Sequence, residues 1–238
     1  MGLEISRRLF LTFVGGAMVM PRIVIGEESV PTLLDHILLG CNDLQRGIEF
    51  VEERTGVRAA FGGVHPGRGT QNALLSLGER RYLEIIAPDP KQSGPVGHPQ
   101  LATMTEPRLI GWAAHPGDLG SFAKKLGDAG VAFEGPTPGS RKRPDGRVLS
   151  WRTITLKDDR GGLLPFFIEW SADSKHPSED APQGCKLESF AAVSPHPDGL
   201  LEVFKTLGVG MPVVRGEKEQ LLAKLSSSKG SFEISSQN

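Results

Sequence analysis

The sequence predicts an α+β fold of repeated β-α-β-β-β modules, with helices covering one face of a mixed β-sheet. Two observations carry this. The order strand, helix, three strands runs twice between residues 33 and 170, and a third, fainter pass reaches residue 234. The last strand of each pass also holds one glutamate in an apolar or β-prone run: Tyr82-Leu83-Glu84-Ile85-Ile86-Ala87-Pro88, Pro165-Phe166-Phe167-Ile168-Glu169-Trp170, and Ser231-Phe232-Glu233-Ile234-Ser235. A charge in an apolar strand is costly unless paired, so these glutamates need partners.

In the first pass, residues 33–40 read as a strand, Asn42-Asp43 as an N-cap, residues 44–55 as a helix and Gly56 as its stop. Strands follow at 57–61, 70–77 and 81–88, with a glycine-rich turn at 62–69. In the second pass, a strand at 109–114 precedes a helix at 118–129 ended by Gly130, then strands at 131–134, 148–156 and 164–170. The third gives a strand at 187–193, a helix at 198–206 before Gly208, and strands at 212–215, 220–225 and 232–234. Alternation with period two sets Leu83 and Ile85, Phe166 and Ile168, and Phe232 and Ile234 on helix-covered faces. It turns Glu84, with Tyr82 and Ile86, and Glu169, with Phe167, toward the opposite side. Glu233, flanked by serines, is expected in solvent.

Composition sets outer limits. With 38% apolar and 23% charged residues among 238, the chain is ordinary globular material. Its 27 basic and 28 acidic residues create no field for nucleic acid. Arg141-Lys142-Arg143, beside Pro144-Asp145-Gly146, reads as an exposed turn tip. Cys41 and Cys185 fit no zinc-ribbon spacing and read as two buried thiols. Near the start, Ser6-Arg7-Arg8-Leu9-Phe10-Leu11 leads an apolar run through Met20. This looks like a twin-arginine export signal, its apolar core shorter than the roughly 20 residues of a membrane span. It implies export machinery as a partner and a periplasmic or secreted protein, with cleavage left open.

Leu34-Asp35-His36-Ile37, the loop Gly62-Gly63-Val64-His65-Pro66-Gly67-Arg68-Gly69-Thr70-Gln71-Asn72 and the run Tyr82 to Pro88 together resemble the glyoxalase-like domain of the vicinal oxygen chelate superfamily. That superfamily includes glyoxalases, bleomycin-resistance proteins and extradiol dioxygenases. The resemblance implies paired modules in a cupped mixed β-sheet, helices outside, around a site for a divalent metal and a substrate. It divides the chain into a signal segment (1–29), a glyoxalase-like domain (31–171, modules 33–90 and 108–171) and an additional degenerate module (184–238).

By that resemblance His36, Glu84 and Glu169 are the metal ligands, and the fourth ligand position falls on Gly111, which has no donor. One imidazole and two carboxylates suit Zn, Mn, Fe, Co or Ni. A metal-free site is the equal alternative. Ring-cleaving dioxygenase chemistry, which needs two imidazoles, is disfavoured by Gly111. Glu84 and Glu169 are the candidate catalytic carboxylates, each able to act as general base beside a carbonyl. The loop supplies candidate substrate contacts in His65, Arg68 and Asn72, with Arg68 suited to a carboxylate or phosphate. Trp112 is a candidate apolar wall. The expected function is an isomerase- or lyase-type enzyme acting on a small oxygenated metabolite; the alternative is a metal-free binding or sequestering protein. A homodimer built through the third module is a further expectation.

Overall fold

The computed structural model describes residues 30–93 and 97–237; the twin-arginine segment lies outside them. Module one runs β1 (Leu34–Gly40), α1 (Leu44–Thr55), β2 (Ala60–His65), β3 (Thr70–Gly78) and β4 (Arg81–Pro88). Module two runs β5 (Arg108–Ala114), α2 (Leu119–Asp128), β6 (Phe133–Lys142), β7 (Val148–Leu156) and β8 (Phe166–Trp170). The short helix α3 (Pro177–Asp180) leads to β9 (Lys186–Ser194), α4 (Pro197–Thr206), β10 (Val213–Arg215), β11 (Gln220–Ser227) and β12 (Gly230–Ser235). Among the described residues no helix is long and apolar enough to cross a membrane.

The helices begin and end on local signals. Asp43 accepts from the Arg46 amide at 2.9 Å to start α1, and Gly56, left-handed at φ 74°, ends it. Asp118 caps α2 through the Gly120 and Ser121 amides. The first two modules share one eight-stranded sheet in the order β2-β3-β4-β1-β5-β8-β7-β6. They join where β1 runs antiparallel to β5, and in each the first strand lies parallel to the last. The strands β9 to β12 form a second, four-stranded sheet in the order β10-β9-β11-β12.

The main core lies on the convex face of the large sheet. Ile37, Leu39, Leu83, Ile85 and Phe167 are buried there together with Phe190 and Phe204 of the last segment. Trp112 joins the layers, its ring 5.6 Å from Phe190 and 6.3 Å from Phe204. Cys41 and Cys185 are buried free thiols.

The concave face is closed in two ways. The chain after β8 returns beneath it, where the Ser76 amide donates to Pro182 at 3.0 Å and Ala181 packs on Leu74 and Tyr82. The edge strands β2 and β6 also meet. At Gly63, with φ 139°, an added Cβ would stand 2.8 Å from the Lys142 carbonyl oxygen; at Gly62 it would stand 2.8 Å from Arg141 Nη1. The paired glycines let one rim of the cup approach the other.

Two expectations about strand faces and ends are corrected. In β4 the alternation holds: Leu83 and Ile85 face the core and Glu84 the concave side. In β8 the parity is reversed. Phe167 packs on Phe122 of α2, ring centroids 4.4 Å apart, while Phe166, Ile168 and Trp170 face inward. Glu169 therefore faces outward, since a one-residue slip exchanges the faces of a strand. The second correction concerns Arg141, expected on an exposed turn tip. The strand β6 extends to Lys142 and buries Arg141.

Gly63→Ala should destabilise the protein by about 1–3 kcal/mol, through a side chain at positive φ pressed on backbone. Urea denaturation checks this; an unchanged midpoint would show that the rims do not need this approach.

Candidate active site

A cavity of about 490 Å³ opens into the concave face. Module one supplies most of its ionisable wall, joined by Arg141 of β6, and module two supplies an apolar wall through Ile110, Trp151, Phe166, Ile168 and Trp170. Glu84 stands on the polar wall, projecting from the middle of β4 with 7% exposure. Its Oε1 accepts from Asn72 Nδ2 at 2.6 Å. Its Oε2 lies 3.4 Å from His36 Nε2, and Oε1 lies 3.6 Å from His65 Nε2. Burial works against the Glu84 charge. The imidazoles of His65 and His36, the Arg141 guanidinium and the Asn72 hydrogen bond nevertheless hold its pKa below the usual value.

Behind His36 sits Asp35. Its Oδ1 is 2.6 Å from His36 Nδ1, and its Oδ2 accepts from Trp170 Nε1 at 3.0 Å and lies 3.2 Å from His176 Nε2. Neighbours in a strand normally face opposite ways. Here the pairing of β1 with β5 shifts register between Leu34 and His36, and that irregularity brings both side chains to one side. Burial opposes the Asp35 charge, but hydrogen bonds from His176 and His36 drive its pKa well below the usual carboxylate value. An ionised Asp35 fixes the proton of His36 on Nδ1 and presents the Nε2 edge to Glu84. Tyr82 stacks on the His36 ring at 4.5 Å and fixes its plane.

On the other side of Glu84, the Asn72 carbonyl oxygen accepts from Arg141 Nη1. Asn72 thus links a buried carboxylate to a buried guanidinium. Burial lowers the Arg141 pKa, with the nearby Glu84 charge opposing in part. His65 accepts or donates at Nδ1 to the Thr70 hydroxyl, 2.9 Å away. Arg68, exposed at the cavity mouth, makes no ion pair among the described residues.

Residues 34–208 match the family model described as a glyoxalase-like domain. The chain belongs to the glyoxalase-like domain family. Its curled mixed sheet and paired modules agree with the fold of the vicinal oxygen chelate superfamily. A hypothetical protein from Staphylococcus aureus has the same fold, with TM-score 0.58, 17% identity and 84% of each chain covered. Methylmalonyl-CoA epimerase from Mycobacterium tuberculosis aligns at TM-score 0.43 and 21% identity, over 61% of this chain and 91% of that one. No curated protein sequence matches the chain.

This glyoxalase-like site brings together His36, His65, Arg68, Asn72 and Glu84 around the cavity. It does not bring in Glu169. That carboxylate accepts from the Leu119 amide at 2.8 Å and from Arg152 Nη2 at 2.9 and 2.8 Å, so it caps α2 on the outer face. Trp112 borders the cavity, but its indole lies in the core and Nε1 donates to the Leu163 carbonyl at 3.0 Å. Gly111 pairs with Leu38 in the sheet beneath Gly162, and a Cβ there would meet the Gly162 carbonyl oxygen at 3.8 Å.

The resident divalent ion implied by the family does not fit these residues. The set His36, Glu84 and Glu169 is split between the two faces of the sheet, and Glu84 Oε1 is held by an amide N–H. Among the described residues no group of three or more His, Cys, Asp or Glu side chains is arranged to hold a metal. Asp35, Arg141, His98 and His176 were not picked out from the sequence as site residues. For Asp35 the available signal was adjacency to a histidine within a strand.

Burial holds the His65 pKa down to about 4, with Glu84 opposing. The unfolded chain takes up this proton near pH ~6.5, so between about 6.5 and 4 the unfolded state binds more protons than the folded one. Stability should therefore fall as pH is lowered through that window, by up to about 1.4 kcal/mol per pH unit from this group. His65→Asn should flatten the loss seen by urea denaturation between about pH 7 and 5. His98, also lowered by burial, accounts for a remainder. Equal slopes in variant and wild type would exclude His65 as the source.

Proposed function

We propose that the protein is a metal-independent general-base enzyme for a small oxygenated metabolite, transferring a proton at a carbon next to a carbonyl in an isomerase- or lyase-type reaction. The observation that carries this is the buried Glu84 on the cavity wall, backed by His36 and Asp35. In the first step a Glu84 oxygen forms a bond to the substrate proton. The C–H electron pair becomes the enolate double bond and the carbonyl π-pair moves onto oxygen. Arg141, reaching the cavity from β6, lends its positive field to the negative charge that develops. His36, oriented by Asp35, offers its Nε2 lone pair to accept from Glu84 once that carboxyl carries the proton. Return of the proton to the same or a neighbouring carbon regenerates the carboxylate. The apolar wall of module two excludes water from this exchange.

A second reading has its own support. A carboxylate held below its usual pKa is a weak base, which favours a binding or sequestering protein in which Glu84 is a fixed acceptor. The export reading of Arg7-Arg8 places either activity outside the cytoplasm, and replacing both arginines with lysine should then retain the protein inside.

Proton NMR in D2O with a panel of small 2-oxo and 2-hydroxy carboxylates separates the two readings. The enzyme reading expects catalysed deuterium incorporation beside the carbonyl of at least one panel member. Glu84→Gln should lower that rate about 10²- to 10⁴-fold while leaving ligand binding within a few-fold. Panel members that bind without any exchange would sustain the sequestering reading instead.

A further inference from the structure

Arg141 is 3% exposed, and among the described residues it makes no ion pair. This is unusual, because a buried cation normally has a carboxylate in contact. Every other element of its surroundings can be accounted for. Nη1 is spent on Asn72. The stem of the side chain lies over Gly63, where an added Cβ would come within 3.0 Å of both Cγ and Cδ. The remaining edge of the guanidinium, Nε with Nη2, has no hydrogen-bond partner, and Nε is fully buried without one. Arg143, two residues on, differs in having a carboxylate at hand: its Nη1, likewise buried without an aligned hydrogen bond, lies 2.9 Å from Asp180 as an ion pair.

The Nε–Nη2 edge of an arginine is a two-pronged donor that matches two oxygens on one carbon. We infer that Arg141 is the binding site for a substrate carboxylate, so that the substrate class is small organic acids, held with the carboxylate at Arg141 and the reacting carbon toward Glu84. Arg68 adds a second positive charge at the mouth, through which such an anion enters. The apolar wall takes the rest of the molecule. A phosphate group fits less well. Helix N-termini commonly supply the extra amide donors it needs, and here α1 and α2 lie on the convex side with their first turns capped by Asp43 and by Asp118 and Glu169.

This inference deepens the proposed reaction and rests on the same cavity, yet it is tested by binding alone. Isothermal titration calorimetry on the full chain would compare pyruvate, malonate and succinate with pyruvamide, malonamide and inorganic phosphate. The expected result is that at least one carboxylate binds about tenfold or more tightly than its amide and than phosphate. Arg141→Lys, which keeps the charge and loses the fork, should weaken that carboxylate about tenfold. Arg68→Gln, on an exposed loop, should weaken it by about two- to fivefold. Thermal melting of each variant confirms that it is folded; Arg68→Gln carries the test if Arg141→Lys is not.

Equal binding of acid and amide, or preference for phosphate, would overturn the inference. So would unchanged affinity in a folded Arg141→Lys. Carboxylate binding that persists in Glu84→Gln, with no deuterium exchange in wild type, would overturn the base reading and leave this one standing.

Discussion

A carboxylate removed from water must be compensated, and the site is organised around how Glu84 is compensated. On one side His36 faces it, held by Asp35; on the other, Asn72 donates to it and accepts from Arg141. The chain of contacts runs from Asp35 to Arg141 through residues on four strands, β1, β3, β4 and β6. Each link is buried, and all but the 3.4 Å approach of His36 to Glu84 are short hydrogen bonds, so the low local dielectric strengthens them and penalises the loss of any. The arrangement holds charge of both signs at a cavity wall without water as the intermediary.

The fold supplies these groups from far apart in the sequence. The junction of β1 with β5 carries a register shift that turns Asp35 inward beside His36. The glycines of β2 admit Arg141 from the opposite rim, so the side chain reaches Asn72 across 69 residues of sequence. Meanwhile β8 of the second module turns apolar side chains to the cavity. Phe166 and Ile168 stand on the inner face of β8 as Glu84 does on that of β4, and Glu169 is spent as a helix cap. A duplicated architecture has thus become an asymmetric site, with its buried carboxylate and imidazoles from module one and, from module two, Arg141 and an apolar wall.

Much of this could be read from the sequence, for identifiable reasons. Strand and helix order follows from apolar periodicity and from caps such as Asp43 and Gly56, which act locally. Glu84 and His36 stood out because a polar group inside an apolar strand demands a partner. Glu169 satisfied the same pattern and was misplaced, since its motif is offset by one residue and alternation alone does not fix which face is inward. Arg141 looked like part of an exposed basic turn, because its burial depends on the closure of β2 on β6, a long-range event with no local signature. Asp35 was hidden by the register irregularity that positions it.

The central claim is that Asp35 sets the proton on His36 and thereby the relation of His36 to Glu84. Its most direct test is NMR of the protein with 15N-labelled histidine, resolving the two ring nitrogens of His36 at neutral pH. The account requires Nδ1 to carry a hydrogen, with its proton resonance shifted far downfield by the Asp35 carboxylate and lost in Asp35→Asn. A His36 ring whose hydrogen sits on Nε2 alone, with Nδ1 bare and indifferent to Asp35→Asn, would contradict it.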